Sequence, residues 1–372
     1  MGWENVGGLV CLSQITRLKH LKRCINMNKK KLLLDPSFRT IEEIFHPDDL
    51  KRLHDCCDVL WGYDEPISMG EFESVKKDVW AIISPRWRYG DVKDIPNLKA
   101  FMEVGGRHPS PQDGLDYDYC FERGIRVLSC APAFGPMVAE MALGMAIDAA
   151  REITLGHSLF QNGEEKYQRD GNKDTRTLYG KRVGLIGMGG LAHSVLNLLA
   201  PFGCKLSAFD PWRTESFIKS NNVTPDSLEN ILSHSDYIFV LAIPSTENKA
   251  VIDRSRLELI KKNTVFVLIS RAHVVDFDAL SDLLHEGRFK AAIDVFPEEP
   301  LPLNHKIRQA PNVILSAHRA GSIIGDSNAI GGLVADDIEA MAHGLPPWRM
   351  QPAQPEIVVK LPRRERINKP FS

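Results

Sequence analysis

Lys181-Arg182-Val183-Gly184-Leu185-Ile186-Gly187-Met188-Gly189-Gly190-Leu191-Ala192 runs from an apolar strand pattern, through a cluster of glycines, into the start of a helix. Each position has a physical use in a dinucleotide-binding turn. Gly187 permits a sharp change of direction, Gly189 and Gly190 let backbone amides approach a pyrophosphate, and Leu191 opens the helix. Ala192 fills the third small position, where helix packs on sheet. The helix amino end adds free N–H donors and partial positive charge. The next strand pattern, 206–210, ends in Asp210, 23 residues beyond Gly187. A carboxylate there accepts hydrogen bonds from both ribose hydroxyls and repels a 2′-phosphate, which predicts NAD rather than NADP. Arg213, close by, weakens that discrimination.

Around this turn the chain alternates. Strand-like runs lie at 183–187, 206–210, 237–242, 264–270, 291–295 and 313–316, with helical spacers between them. Six such runs in this order predict a doubly wound Rossmann domain. Upstream, runs at 31–35, 59–61, 79–84, 98–102 and 125–128 alternate with helical stretches in the same way, which predicts a second parallel sheet covered by helices. Small and apolar residues fill 137–153 almost all round, as in a buried helix; a further helix is predicted over 329–343.

Length and composition limit the alternatives. The 372 residues allow about two domains. With 46 basic and 48 acidic residues the net charge is −2, so no concentrated basic surface for nucleic acid is expected. The seven cysteines are irregularly spaced and form no CxxC pair. Neither a disulfide framework nor a metal site is indicated, and a reduced, cytoplasmic setting is expected. Residues 183–204 carry no Lys, Arg, Asp or Glu over a length that could span a bilayer, but their glycines read as a turn, so no membrane association is expected. The opening residues, with Arg17, Lys19, Lys22 and Arg23 after a short apolar patch, do not form a secretory signal and read as an unstructured extension.

Three loops that follow strand patterns carry reactive side chains: Ser270-Arg271, Asp294 through Glu298-Glu299-Pro300, and Ser316-Ala317-His318-Arg319-Ala320-Gly321. In open α/β sheets ligands collect at the carboxyl ends of strands. The order Arg, Glu, His, spaced by 28 and 19 residues, therefore makes chemical sense. Arg forks a carboxylate bidentately. His exchanges a proton with a carbonyl or hydroxyl oxygen, and an adjacent carboxylate orients it.

Residues 31 to about 345 resemble the D-isomer-specific 2-hydroxyacid dehydrogenase family, through GMGGLA at 187–192, SRAHVVDFDAL at 270–280, AAIDVFPEEPLP at 291–302 and NVILSAHRAG at 312–321. The resemblance implies an α/β protein of two doubly wound parallel-sheet domains. A Rossmann NAD domain, 129–317, is inserted in a discontinuous flavodoxin-like substrate domain, 31–128 with 318–350. Residues 1–30 are left as a disordered extension and 351–372 as a tail. It implies that Arg271 binds the substrate carboxylate and carbonyl, that His318 is the acid/base and that Glu299 is its partner. Ile269, Ser270, Arg271, Asp294 and the turn from His318 to Gly321 would line the nicotinamide, with Ala242, Ile243 and Pro244 near the adenosine. Backbone amides of Gly105, Gly106 and Arg107 would cradle the substrate carboxylate. Two linking helices and a homodimer built through the NAD domain also follow.

The expected function is NAD-dependent interconversion of a small 2-oxo acid and a D-2-hydroxy acid. The alternative is a non-catalytic NAD(H)-sensing scaffold of the corepressor type on the same fold. Departures from the family pattern gather around the substrate: Ala272-His273 after the arginine, Ala317 and Arg319 around the histidine, and the loop 109–112. Arg107, His108 and Arg319 are potential cations there, and they suggest a substrate with a second polar or anionic group.

Overall fold

The computed structural model describes residues 29–361. The proposed extension is described from Lys29 only, and the end of the tail lies outside the described residues. The first block of strands is β1 (Lys30–Leu34), β2 (Cys57–Gly62), β3 (Ala81–Ser84), β4 (Ala100–Glu103) and β5 (Arg126–Ser129). The second is β6 (Arg182–Ile186), β7 (Lys205–Phe209), β8 (Thr224–Pro225), β9 (Tyr237–Val240), β10 (Val265–Leu268), β11 (Lys290–Ile293) and β12 (Val313–Leu315). A last strand, β13 (Gln351–Pro352), returns to the first sheet.

The sheet orders are β13-β5-β4-β3-β1-β2 and β12-β11-β10-β9-β6-β7-β8. Both reverse direction beside their first strand, as doubly wound sheets do, and β1–β5 follow the flavodoxin-like order. All pairings except β13 with β5 are parallel. Helices therefore cover both faces, and β3, β4, β9, β10 and β11 are buried along their whole length. This is why these strands read as unbroken apolar runs rather than alternating ones. β8 and β13 are two residues long and leave no periodic signal.

The long helix Ala131–Arg151 starts six residues before the predicted 137, with Pro132 in its first turn, where the missing N–H costs nothing. Ala133 and Phe134 pack on the core of the first sheet, while Ala139, Ala142, Ala146 and Ala150 belong to the core of the second. The helix thus joins the two. It lies against helix Gly190–Leu199, close enough that a Cβ on Gly135 would stand 2.6 Å from Ser194 Oγ. The charge-free stretch 183–204 divides into β6, the glycine turn and that second helix.

Chain that follows the second sheet completes the first. Helix Ala329–Ala342 buries Ile330, Leu333, Val334 and Ile338 with Leu32, Leu34 and Leu53. Arg52 fastens it from helix Pro47–Cys56, donating to Asp336 at 2.7 Å and to Glu339 at 2.6 Å, which raises the Arg52 pKa. Buried Asp337 accepts the amides of Trp348, Arg349 and Met350 and so sets up β13. Residues 351–361 of the expected tail are therefore part of the fold. Val358, on the short helix Pro355–Val358, is buried with Phe72 and Tyr117 because it finds an apolar face the tail's composition does not announce. Beyond it, Thr246 N donates to Lys360 O at 3.0 Å, Lys360 Nζ donates to Glu247 at 2.9 Å, and the ammonium stands 5.1 Å from the Trp212 ring centre. The last described residues therefore reach from the first sheet's layer to the second's.

Candidate active site

The glycine turn after β6 has the geometry its sequence requires. Gly187 has φ +102°, and a Cβ there would stand 2.7 Å from Ala242 N, so both conformation and space demand glycine. At Gly189 and Gly190 an added Cβ would meet nothing within 4 Å. Gly189 caps helix Gly190–Leu199 without a side-chain hydrogen bond, which leaves the first N–H groups of that helix uncapped among the described residues. Leu191 lies in that first turn, and Ala192 is fully buried behind it. Asp210 closes β7 and accepts Met188 N at 2.7 Å and Trp212 N at 2.8 Å. The Arg213 guanidinium lies 4.9 Å from the Phe217 ring centre, engaged there instead of standing free beside Asp210. Ala242, Ile243 and Pro244 form the neighbouring loop, with Ile243 49% exposed. Asn248 Nδ2 donates to Ile243 O, and His273 Nε2 donates to Ser245 O at 2.9 Å. Open glycines, an uncapped helix start and a strand-end carboxylate fit a dinucleotide. The buried hydroxyl of Ser270, which has no partner among the described residues, fits its nicotinamide end.

The three reactive side chains sit after β10, β11 and β12. His318 Nδ1 donates to Glu299 Oε2 at 2.7 Å, and Glu299 Oε1 accepts Phe296 N at 3.0 Å. Partial burial disfavours the Glu299 carboxylate, but the His318 and Phe296 hydrogen bonds and the charges of His318 and Arg271 outweigh it, holding the carboxyl below its ordinary range. With Nδ1 engaged, Nε2 is the ring nitrogen left without a protein partner among the described residues. His318 has φ +52°, unusual for a side chain of this size. The residue is held there because Asp294, fully buried, accepts His318 N on its carbonyl at 2.8 Å and Arg319 N and Ala320 N on its carboxylate at 3.0 and 3.2 Å. Asp294 therefore supports the turn and does not stand free toward a cofactor. Arg271 Nη1 donates to Ser270 O at 2.6 Å. Burial and the like charge of Arg107 hold its pKa below the ordinary value, against the pull of Glu299 and Asp294. Ile269 is buried behind it, and Gly321 lies against Phe134.

The substrate loop corrects one expectation. The amides of Gly105, Gly106 and Arg107 do not stand open for a substrate carboxylate. They donate at 2.7, 3.0 and 2.7 Å to the side chain of Glu103, itself 1% exposed. His108 is not a cation: burial pushes its pKa down to about 4, so it is neutral near pH 7. Arg107 and Arg319 remain exposed. Glu103 and Phe134 escaped the sequence reading. An acid at the end of β4, one residue short of a Gly-Gly pair, was the signal for the first, and nothing local marked the second.

The chain is similar to known proteins over both of its sheets. Residues 143–320 match the family model described as D-isomer specific 2-hydroxyacid dehydrogenase, NAD binding domain. The D-3-phosphoglycerate dehydrogenase of Methanocaldococcus jannaschii is 30% identical over 255 residues, covering 68% of this chain; the chain spans 48% of that longer relative. The glyoxylate reductase of Pyrococcus horikoshii is 28% identical over 306 residues, 80% of this chain and 91% of the relative. A solved structure, a phosphoglycerate oxidoreductase from Rhizobium etli, superposes with a TM-score of 0.79 at 31% identity, over 89% of this chain and all of that one.

Proposed function

Because the chain belongs to the D-isomer specific 2-hydroxyacid dehydrogenase family, we propose that it interconverts a small 2-oxo acid and its D-2-hydroxy acid with NAD, using Arg271, Glu299 and His318. The observation that carries this reading is the His318–Glu299 pair, held by the Asp294-anchored turn in a chain that also places Arg271 after β10. Bound NAD(H) supplies or accepts the hydride at the acid's C2. His318, its Nδ1 fixed by ionised Glu299, passes a proton between Nε2 and the C2 oxygen. Arg271 binds the carboxylate and polarises the carbonyl, and the compensation it lacks from a protein carboxylate is what an acid substrate provides. Asp210 holds the adenosine ribose and disfavours a 2′-phosphate.

The domain assignment follows the same reading: 129–317 bind the dinucleotide, and 31–128 with 318–350 bind the acid, with β13 and helix Pro355–Val358 packed on from the expected tail. A homodimer fits helix Ile153–Gln161, where no residue is buried and Ile153, Leu155 and Phe160 face outward. A cytoplasmic setting fits the free thiols of the described cysteines. Spectrophotometric NADH oxidation with a panel of 2-oxo acids tests the function. Turnover of at least one acid is expected; tight NADH binding with no turnover of any would mark the chain as an NAD(H)-sensing scaffold.

A further inference from the structure

The loop after β4 is closed around a carboxylate of its own. Gly105 N donates to Glu103 Oε1, while Gly106 N, Arg107 N and Ser129 Oγ donate to Oε2, the last at 3.2 Å. Three successive N–H groups turned on one carboxyl group form a nest of the kind that binds anions, and here the protein's own side chain fills it. The fit is tight, since a Cβ on Gly105 would stand 2.6 Å from Glu103 Oε1. Next in the chain, Gly106 has φ +92°, and its absent Cβ would lie 2.7 Å from the Phe134 ring. The same ring would touch a Cβ on Gly321 at 3.1 Å. Phe134 therefore brings the loop that carries Arg107 together with the turn that carries His318. Among the described residues neither Arg107 nor Arg271 has a carboxylate at salt-bridge distance; Arg271 spends one donor on Ser270 O.

We propose that Glu103 is a positioning residue that sets substrate choice. By filling the amide nest of 105–107 it removes the backbone cradle and hands anion recognition to the guanidinium groups of Arg107 and Arg271. The site then selects 2-oxo acids that carry a second anionic group, phosphate or carboxylate, over glyoxylate. This rests on the 2-oxo acid reductase reading. Arg107 stands near enough to Arg271 for its like charge to disfavour the Arg271 cation, and a monoanion compensates one of the two. A dianion compensates both, and each guanidinium can bind a separate group with a charge-assisted pair of hydrogen bonds.

The test compares kcat/KM for 3-phosphohydroxypyruvate, oxaloacetate and glyoxylate at saturating NADH in the full chain, Glu103→Gln and Arg107→Ala. The unmodified protein should prefer one of the two acids with a second anionic group to glyoxylate by at least about tenfold, and the acid preferred tells phosphate from carboxylate recognition. Arg107→Ala should lower that preference by about 10–100-fold, chiefly through KM, as expected for loss of one charge-assisted contact. Glu103→Gln turns an amide donor toward the loop N–H groups and should lower the preference about tenfold, with NADH affinity retained. A loss of packing alone would lower all three acids by one common factor. Such a common factor in both variants, or glyoxylate as the best substrate, overturns the proposal. NADH oxidation with none of the acids overturns the reductase reading, and this inference with it. Should Glu103→Gln fail to fold, the selectivity of exposed Arg107→Ala decides alone.

Discussion

Two loops at the site are fastened by buried carboxylates, and they differ in where the carboxylate comes from. Asp294 directly follows β11 and reaches across to a loop 25 and 26 residues onward, holding Arg319 N and Ala320 N. Glu103 ends β4 and folds back on its own chain, taking amides two, three and four residues ahead. The first tie joins neighbouring strands and keeps His318 in a conformation it would not choose alone, leaving the side chain free to react. The second takes its backbone donors from within five residues, and what it consumes is the loop's own recognition surface. A carboxylate under a loop thus presents a residue in one case and withholds a backbone in the other.

The largest expected effect tests what the Asp294 tie presents. His318→Ala should lower kcat by about 10²–10⁴-fold, the usual scale of a lost general acid, with NADH binding retained by fluorescence titration. Undiminished turnover would remove His318 from the chemistry. Asp294→Asn keeps the shape but turns an amide group toward one of the two N–H donors. It should cost about 10–100-fold in kcat/KM, in line with about 1–3 kcal/mol for an unsatisfied buried group. The loss should be shared equally by all acids; a changed acid preference would erase the contrast with Glu103.

Glu299→Gln is smaller. The Glu299 carboxyl is held below its ordinary range by the His318 and Phe296 hydrogen bonds and the nearby charges, against its partial burial. The carboxylate that fixes His318 is therefore lost only as pH falls through that lowered value, and activity should fall there. Glu299→Gln should remove this acid limb and cost about tenfold in kcat/KM, the scale of one charge-assisted hydrogen bond; an unchanged limb would leave Glu299 only a structural hydrogen-bond acceptor.

The smallest effect is on stability at Glu103. Burial is the leading influence on its carboxyl and pushes the pKa up to about 8, against the amides of Arg107 and Gly105 and the Ser129 hydroxyl. The folded state therefore holds this proton more tightly than the unfolded chain. The resulting contribution is complete below the ordinary Glu range and is lost as pH rises to about 8. Tm of the unmodified protein should carry that downward component and Glu103→Gln should lack it, a difference of a few degrees by calorimetry. Parallel Tm profiles for the two proteins would contradict the shift.

Much of this was legible in sequence because its physical demands are local. Gly187 must be glycine for reasons found within its turn and one adjoining strand, and an apolar run between helical spacers reads as a buried parallel strand wherever it pairs. The order of Arg271, Glu299 and His318 was readable because each follows a strand that the same pattern identifies. What stayed hidden depends on long-range choices. Glu103 looked like any strand-end acid, and its orientation toward the glycines is set by packing around β4 and β5. His318 gives no local sign of a positive φ, which comes from Asp294 on another strand. Val358 finds its apolar neighbours across more than two hundred residues of intervening chain.

The Lys360 contacts turn the two-domain body into something held at three places. The backbone itself crosses between the layers twice, near the start of helix Ala131–Arg151 and again before helix Ala329–Ala342. Lys360, with Glu247 and Trp212, adds a side-chain latch, close to the strand-end Asp210. Its ion pair is partly exposed, with side chains 31% and 56% accessible, so the latch is weak and salt-sensitive. Separating the layers at this point means unfastening it, and added salt should therefore loosen the third tie while leaving the two backbone crossings as they are.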